Sequence, residues 1–229
     1  MAPMFDGRFR APIERAVKPV GDRLRRTRLT PDHLTAIGLL FAVAAAVVIA
    51  QGHLLIGLVL VALAGVPDLL DGALAKASNA SSPRGAFFDS VADRVTDALL
   101  FGGVAWYLTD EGALAMLPVA VLVVSQLISY QRAKAESLGL DAKGGLMERA
   151  ERVIALCVGL LLEVLLVPVL WLMLVLTSIT AVQRFVKVWK QAAVAPVTAA
   201  RIEARRLRRT TRRTARSSQR SAIRRRRAA

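Results

Sequence analysis

Six apolar stretches separated by short polar connections dominate the chain between residues 29 and 192. The first runs from about His33 to Ala50 and follows Leu29-Thr30-Pro31-Asp32, where Thr30 suits a helix N-cap and Pro31 the first helical position. A Gln51-Gly52 turn ends it. The second runs from His53 through Pro67 to about Lys76, and residues 77–84 form a polar, turn-rich connection. The third begins at Gly85 and ends at Trp106 and Tyr107, two aromatics suited to a membrane–water boundary. Beyond the Asp110-Glu111-Gly112 turn, the fourth takes Ala113 to Tyr130 and passes into a polar helix, Gln131–Ser137. Met147-Glu148-Arg149-Ala150-Glu151-Arg152 opens the fifth, which ends near Leu166, and Pro168 starts the sixth, whose apolar part ends near Val182. Stretches of this length and hydropathy are expected to be transmembrane α-helices.

The ends of the chain have a different pattern. Phe9, Ile13, Val17, Val20 and Leu24 recur at helical spacing among basic residues, as in a helix lying at the membrane surface with its Arg and Lys toward headgroups. The first thirty residues are basic and lack a continuous apolar core, so no secretory leader is expected there. Beyond Pro196 the composition shifts to Arg, Ala, Thr and Ser. The expected fold is therefore an all-α integral membrane protein with six transmembrane helices and an N-terminal interfacial amphipathic helix. It divides into a basic juxtamembrane segment (1–28), a six-helix domain (29–192) and an Arg-rich, disordered tail (193–229).

Composition adds topology. The chain is 55% hydrophobic, and its mean hydropathy of +0.46 is too high for an ordinary soluble domain. Its net charge of +15 belongs to the ends: residues 201–229 hold thirteen Arg against one Glu, and residues 1–29 hold eight basic against three acidic residues. That distribution argues against nucleic acid as a partner of the whole protein and fits an attraction to anionic membrane lipids. The connections near 51–53, 109–112 and 163–168 contain no Lys or Arg, whereas those at 76–84 and 131–152 are basic. By the positive-inside rule, the basic connections and both termini face the cytoplasm of a multi-pass protein of the cell (inner) membrane. The single cysteine, Cys157, excludes an intrachain disulfide and a Cys-based zinc site.

The chemistry lies at that cytoplasmic edge. Asp68 and Asp71 are spaced i, i+3 and Asp89 and Asp93 are spaced i, i+4, so each pair shares one helix face, and the two pairs straddle the 76–84 loop. An ionisable group at membrane depth costs at least a few kcal/mol, so four acids without partners would be costly. A shared cation is the simplest partner. Oxygen-only ligation favours Mg²⁺ or Mn²⁺, or Ca²⁺, with water and a phosphate completing the shell.

The pattern Asp68-x2-Asp71-Gly72-x2-Ala75-Lys76-x8-Gly85-x3-Asp89-x3-Asp93 resembles the signature of the CDP-alcohol phosphatidyltransferases, D-x2-D-G-x2-A-R-x8-G-x3-D-x3-D. Seven of its eight defined positions match, and Lys76 stands where the family has Arg. Further segments are similar to the actinobacterial phosphatidylinositol phosphate synthase branch: Leu29–Asp32, Ser125–Glu136, Glu148–Arg152 and Gln183-Arg184. The resemblance implies that an alcohol attacks the phosphorus of CDP-diacylglycerol that bears diacylglycerol, and that CMP leaves. It implies Asp68, Asp71 and Asp89 as ligands of Mg²⁺ or Mn²⁺, with Asp93 near the metal and acting as general base. Lys76 and Ser82 would contact the CDP phosphates. Gly72, Ala75 and Gly85 would line the CDP-diacylglycerol site, and Pro31 and Asp32 would border the cytidine.

The resemblance further implies that Ser129, Arg132, Lys134, Arg149, Arg152 and Arg184 bind the phosphate of inositol 1-phosphate, for which Arg has a suitable fork of donors. It also implies a homodimer. The residues themselves suggest that Arg94 and Asp97 pair with each other, and that Glu148 and Glu151 orient the neighbouring arginines. Three rivals remain: the same chemistry with glycerol 3-phosphate or another alcohol, a cation transporter using the acidic cluster, and a catalytically silent scaffold whose working part is the basic tail.

Overall fold

A computed structural model describes residues 30–78 and 82–193, with the side chains of 31 and 67–78 excepted. The N-terminal segment and the Arg-rich tail beyond residue 193 lie outside the described residues, as do the side chains of Pro31, Asp68, Asp71, Ala75 and Lys76 and the surroundings of Gly72.

Local signals set the helix starts. Helix α1, Pro31–Ala50, is entered through a reciprocal cap. The Thr30 hydroxyl accepts from the His33 amide (3.4 Å), and His33 Nδ1 accepts from the Thr30 amide (3.2 Å). These bonds satisfy donors that the first helical turn leaves free. Helix α2, Leu54–Ser78, follows the Gln51-Gly52 turn and is continuous through Pro67. Helix α3, Pro83–Tyr107, starts two residues before the expected Gly85, because the Ser82 hydroxyl accepts from the Gly85 amide at 3.0 Å and caps the helix there.

A 3₁₀ segment, Thr109–Ala115, replaces the expected short turn and leads into α4, Met116–Ser137. Helix α5 is Arg149–Leu161, ending five residues before the expected Leu166. The chain breaks at Leu162, makes a 3₁₀ turn at Glu163–Leu165 and enters α6, residues 166–193. Pro168 lies inside the first turn of α6, where its missing N–H leaves no bond unmade.

The described residues thus form six α-helices, with no strand among them. Helix α1 packs on both α2 and α3, α3 on α4, and α2 on α5. Helices α1 and α3 approach closely. Gly103 lies against Ala46 so tightly that a Cβ there would come within 2.6 Å of the Ala46 carbonyl oxygen. Ala42 and Ala45 on α1 are fully buried, so this seam is built from small residues, as helix contacts in membranes commonly are. Around it Ile49, Val61, Val104, Val121, Leu156, Leu160, Leu170 and Met173 form the shared core.

The outer surface is apolar too, with Leu40, Leu55, Val59, Trp171 and Leu172 among the exposed side chains. Among the described residues, three helical segments are long and apolar enough to cross a membrane: Asp32–Ala50, Thr109–Ser137 and Glu163–Ala193. The apolar part of α2 is the shorter Leu54–Val66, and α5 has 13 residues. At 1.5 Å per residue α5 is about 20 Å long, less than the roughly 30 Å of a bilayer's hydrocarbon core.

Polar residues therefore gather at the two ends of the bundle. At one end the Tyr107 hydroxyl donates to Glu163 Oε1 (2.6 Å), tying the end of α3 to the turn between α5 and α6. At the other end lie the start of α1, the end of α2, the start of α3, the α4–α5 loop and the C-terminal part of α6.

Candidate active site

At this second end, α3, α4, α5 and α6 enclose an open cavity of about 310 Å³. Asp93 and Arg94 from α3 line it, with Ile128, Ser129 and Arg132 from α4, Glu148 through Arg152 at the start of α5, and Arg184 from α6. Five guanidinium groups thus surround one space.

Each arginine is held by particular acceptors. Arg149 Nη1 lies 2.8 Å from Asp93 Oδ1, and its Nε lies 3.7 Å from Asp97 Oδ1. Arg152 donates from Nη2 to Asp97 Oδ2 (3.0 Å) and from Nη1 to the Met147 carbonyl (3.4 Å). Arg184 donates to the carbonyls of Ile128 (3.2 Å) and Gly144 (3.1 Å) and to Glu148 Oε1 (3.2 Å). Arg94 Nη2 lies 3.2 Å from Asp93 Oδ2. The buried Nε atoms of Arg94, Arg152 and Arg184 and Oε2 of Glu151 have no hydrogen-bond partner among the described residues. Unsatisfied buried donors beside a cavity are what a bound anion would complete.

The α4–α5 loop is shaped to bring these groups together. Thr180 Oγ1 accepts from the amides of Leu146 (3.2 Å) and Met147 (3.0 Å). Gly145, at φ 156°, lies so close to Thr180 that a Cβ would collide with its methyl group. Lys187 Nζ donates to Asp141 Oδ2 (2.8 Å) and to the Lys143 carbonyl (2.7 Å), fastening the loop to α6. This donor, followed by the Lys143 amide, holds the Asp141 carboxyl below the usual carboxylate range.

The acceptor residues expected from the sequence meet here, with one exception. Ser129, Arg132, Arg149, Arg152 and Arg184 line the cavity. Lys134 is exposed and does not, since two residues beyond Arg132 it lies about 200° further round α4. Arg132 is paired with Glu136 (3.0 Å) at the outer rim. The Ser129 hydroxyl donates to the Ser125 carbonyl (3.0 Å), so within the cavity it offers its lone pairs.

The expected Arg94–Asp97 pair does not form. Asp97 is buried and takes the equally buried Arg152, while Arg94 stays at the cavity mouth with Asp93. Glu148 pairs with Arg184, across the fold from its neighbours in sequence, and Glu151 forms no ion pair among the described residues. The sequence offers no ligand role for Arg94, Glu148 and Glu151, which line the cavity, or for Asp97, which lies behind it. One signal for Asp97 was available: Asp89, Asp93 and Asp97 repeat every four residues along one face of α3.

Beside the cavity, the start of α3 approaches the start of α1. A Cβ on Gly85 would lie 3.2 Å from Ser82 Oγ and 3.3 Å from Asp32 Oδ1, so Asp32, Ser82 and Gly85 form one small polar corner. Asp89 and Asp93 follow Gly85 along α3, half-buried and facing the same way. They supply hard carboxylate oxygens, the donor type that suits Mg²⁺ or Mn²⁺. Among the described residues no three potential ligands converge, and the other two aspartates, Asp68 and Asp71, are among those whose side chains are not described.

Comparison with known proteins places this arrangement in context. The family model for CDP-alcohol phosphatidyltransferase matches residues 28–200. The chain is 36% identical over 191 residues to the phosphatidylinositol phosphate synthase of Corynebacterium glutamicum, covering 79% of this chain and 87% of that protein. It is 37% identical over 191 residues to the archaetidylinositol phosphate synthase of Methanothermobacter thermautotrophicus, covering 80% and 93%. Among solved structures, Mycobacterium tuberculosis phosphatidylinositol phosphate synthase with CDP-DAG bound superposes with a TM-score of 0.71 at 34% identity, covering 76% of this chain and 94% of that one. The same enzyme has been crystallised with manganese and citrate, again at a TM-score of 0.71 and 34% identity, covering 76% and 88%.

Proposed function

The chain belongs to the CDP-alcohol phosphatidyltransferase family, and on that premise we propose that it transfers the phosphatidyl group of CDP-diacylglycerol to inositol 1-phosphate, forming phosphatidylinositol phosphate and releasing CMP. The observation that carries the acceptor assignment is the cavity of five guanidinium groups beside Asp93. It suits a phosphate group, and an acceptor seated there would have a hydroxyl next to a carboxylate that can take its proton. Glu151 Oε2, buried and without a partner in the same cavity, favours an acceptor rich in hydroxyl donors, such as a phosphorylated ring polyol, over glycerol 3-phosphate.

In the proposed reaction the acceptor hydroxyl oxygen attacks the phosphorus bearing diacylglycerol. Its proton passes to Asp93, and the phosphoanhydride bond to CMP breaks. Asp93 is engaged by Arg149 and Arg94 in the present arrangement, and these guanidinium groups keep it ionised and ready to accept the hydroxyl proton. Asp32, Ser82 and Gly85 would border the nucleotide, with Pro31, Gly72, Ala75 and Lys76. A divalent cation, Mg²⁺ or Mn²⁺, held by Asp68, Asp71 and Asp89 with Asp93, would supply charge neutralisation at the pyrophosphate.

The same reading places the protein in the cell membrane with six crossings and both termini in the cytoplasm. α5 is then the short crossing, and residues 1–28 and 193–229 lie at the cytoplasmic surface on either side of the 29–192 domain. A homodimer belongs to this reading as well.

The test is CMP release by the purified protein from CDP-diacylglycerol, with inositol 1-phosphate and glycerol 3-phosphate supplied separately. Release is expected only with the former. Release that follows glycerol 3-phosphate and ignores inositol 1-phosphate would overturn the acceptor assignment.

A further inference from the structure

Asp97 is the only buried carboxylate among the described residues, and the proposed chemistry gives it nothing to do. It does not line the cavity. It lies behind it, one helical turn beyond Asp93 on α3, with its side chain 4% exposed. Oδ2 takes Arg152 Nη2 at 3.0 Å, and Oδ1 faces Arg149 Nε at 3.7 Å. Arg149 in turn reaches Asp93 Oδ1 with Nη1, so Arg152, Asp97, Arg149 and Asp93 form one continuous chain of alternating charge.

We propose that Asp97 is the positioning residue of the acceptor-phosphate seat: it fixes the guanidinium groups of Arg152 and Arg149, both of which line the cavity, and it holds Arg149 between that seat and Asp93. The proposal rests on the reading of the cavity as a phosphate site. Two arguments support it. A buried carboxylate is costly unless paired, and among the described residues this one is paired only with arginines that also line the cavity. A long guanidinium side chain left without such an anchor has many rotamers, and a seat for a tetrahedral anion needs the donors preset.

Charge and position predict opposite outcomes, which makes the proposal testable. The cavity lining carries five arginines against Asp93, Glu148 and Glu151. Removing the negative charge of Asp97 leaves the seat more positive, so electrostatics alone predicts tighter phosphate binding. Loss of position predicts weaker binding. In the full-length protein, Asp97→Asn is expected to raise KM for the phosphorylated acceptor, and the inhibition constant of inorganic phosphate against that acceptor, by about tenfold or more, as befits loss of a charged hydrogen bond. KM for CDP-diacylglycerol should be unchanged. Asp97→Glu, which keeps the charge, should recover part of the loss. In an Arg152→Gln background Asp97→Asn should raise the acceptor KM by less than it does alone, because the two changes remove one contact.

A fall in acceptor KM, a loss confined to kcat with both KM values unchanged, or full additivity with Arg152→Gln would overturn the proposal. If Asp97→Asn does not fold, Asp97→Glu carries the test, and a wild-type acceptor KM in that variant refutes the need for fixed position. Inorganic phosphate separates the two readings. If the wild type prefers glycerol 3-phosphate, the acceptor assignment fails while phosphate inhibition still tests Asp97. If inorganic phosphate does not compete with the acceptor at all, the cavity is no phosphate seat and both fall.

Discussion

Replacing Arg184 by Met should detach the α4–α5 loop from α6. Arg184 has a side chain only 4% exposed and donates to three acceptors on three other parts of the fold: the Ile128 carbonyl of α4, the Gly144 carbonyl of the loop, and Glu148 at the start of α5. Met nearly fills the volume and removes every donor. Hydrogen bonds from a charged group contribute about 1.5–3 kcal/mol each, but these three are 3.1–3.2 Å long and Glu148 is 38% exposed, so solvent screens that partner. A net loss of about 2–4 kcal/mol is reasonable, corresponding to a Tm lower by roughly 5–15 °C for a chain of this size. Thermal unfolding of the purified protein in detergent measures the stability change, and CMP release against acceptor concentration measures the effect on the cavity. KM for the acceptor should rise well beyond tenfold if the loop moves, since each 1.4 kcal/mol of lost binding is about tenfold. Arg184→Lys keeps the charge but has no fork with which to reach three acceptors, so it should recover only part of both losses. A native Tm and native acceptor KM in Arg184→Met would refute the reasoning. So would full recovery by Lys, which would show that charge alone matters.

Gly103→Ala should lower stability by about 1–3 kcal/mol through overpacking against the Ala46 backbone, whereas Gly102→Ala on the same helix, with open space at its Cβ, should be neutral or slightly stabilising; thermal melts of the two variants check the contrast. The lowered pKa of Asp141 gives a pH dependence with a defined sign. Its contribution is fully present above its ordinary value of about 4 and is lost as pH falls through the lower folded value, so the loop's fastening to Lys187 should loosen only in acid. Hydrogen exchange at residues 141–145 should then be insensitive to pH across the neutral range once intrinsic rates are removed. Asp141→Asn at pH 7 should reproduce the acid state.

Much of the fold was legible because its signals are local. Thr30-Pro31 marks a helix start through a cap that needs no tertiary partner, and the apolar stretches are long enough to declare themselves; the equally local Ser82-Pro83 cap starts α3 two residues before the expected Gly85. The family signature was equally plain, since spacing along two helices is a property of the chain. The helix ends were less legible. Leu162 breaks α5 early, and its apolar neighbours give no warning; past the break, Leu166 and Val169 of α6 pack back against Gly159.

The sequence by itself determined that this is a helical, membrane-type chain with its four motif aspartates and most of its non-terminal basic residues near one end of the bundle. Period and polarity decide that residue by residue. Only the tertiary structure decided who pairs with whom. Asp97 lies three residues from Arg94 and 55 from Arg152, yet it takes the distant partner, because burial between α3 and α5 favours a guanidinium that is buried as well. Glu148 likewise passes over Arg149 and Arg152 for Arg184 on α6. A charged group's neighbours in sequence are fixed by the chain, but its partner is fixed by which opposite charge shares its low-dielectric space, and that depends on how the helices pack.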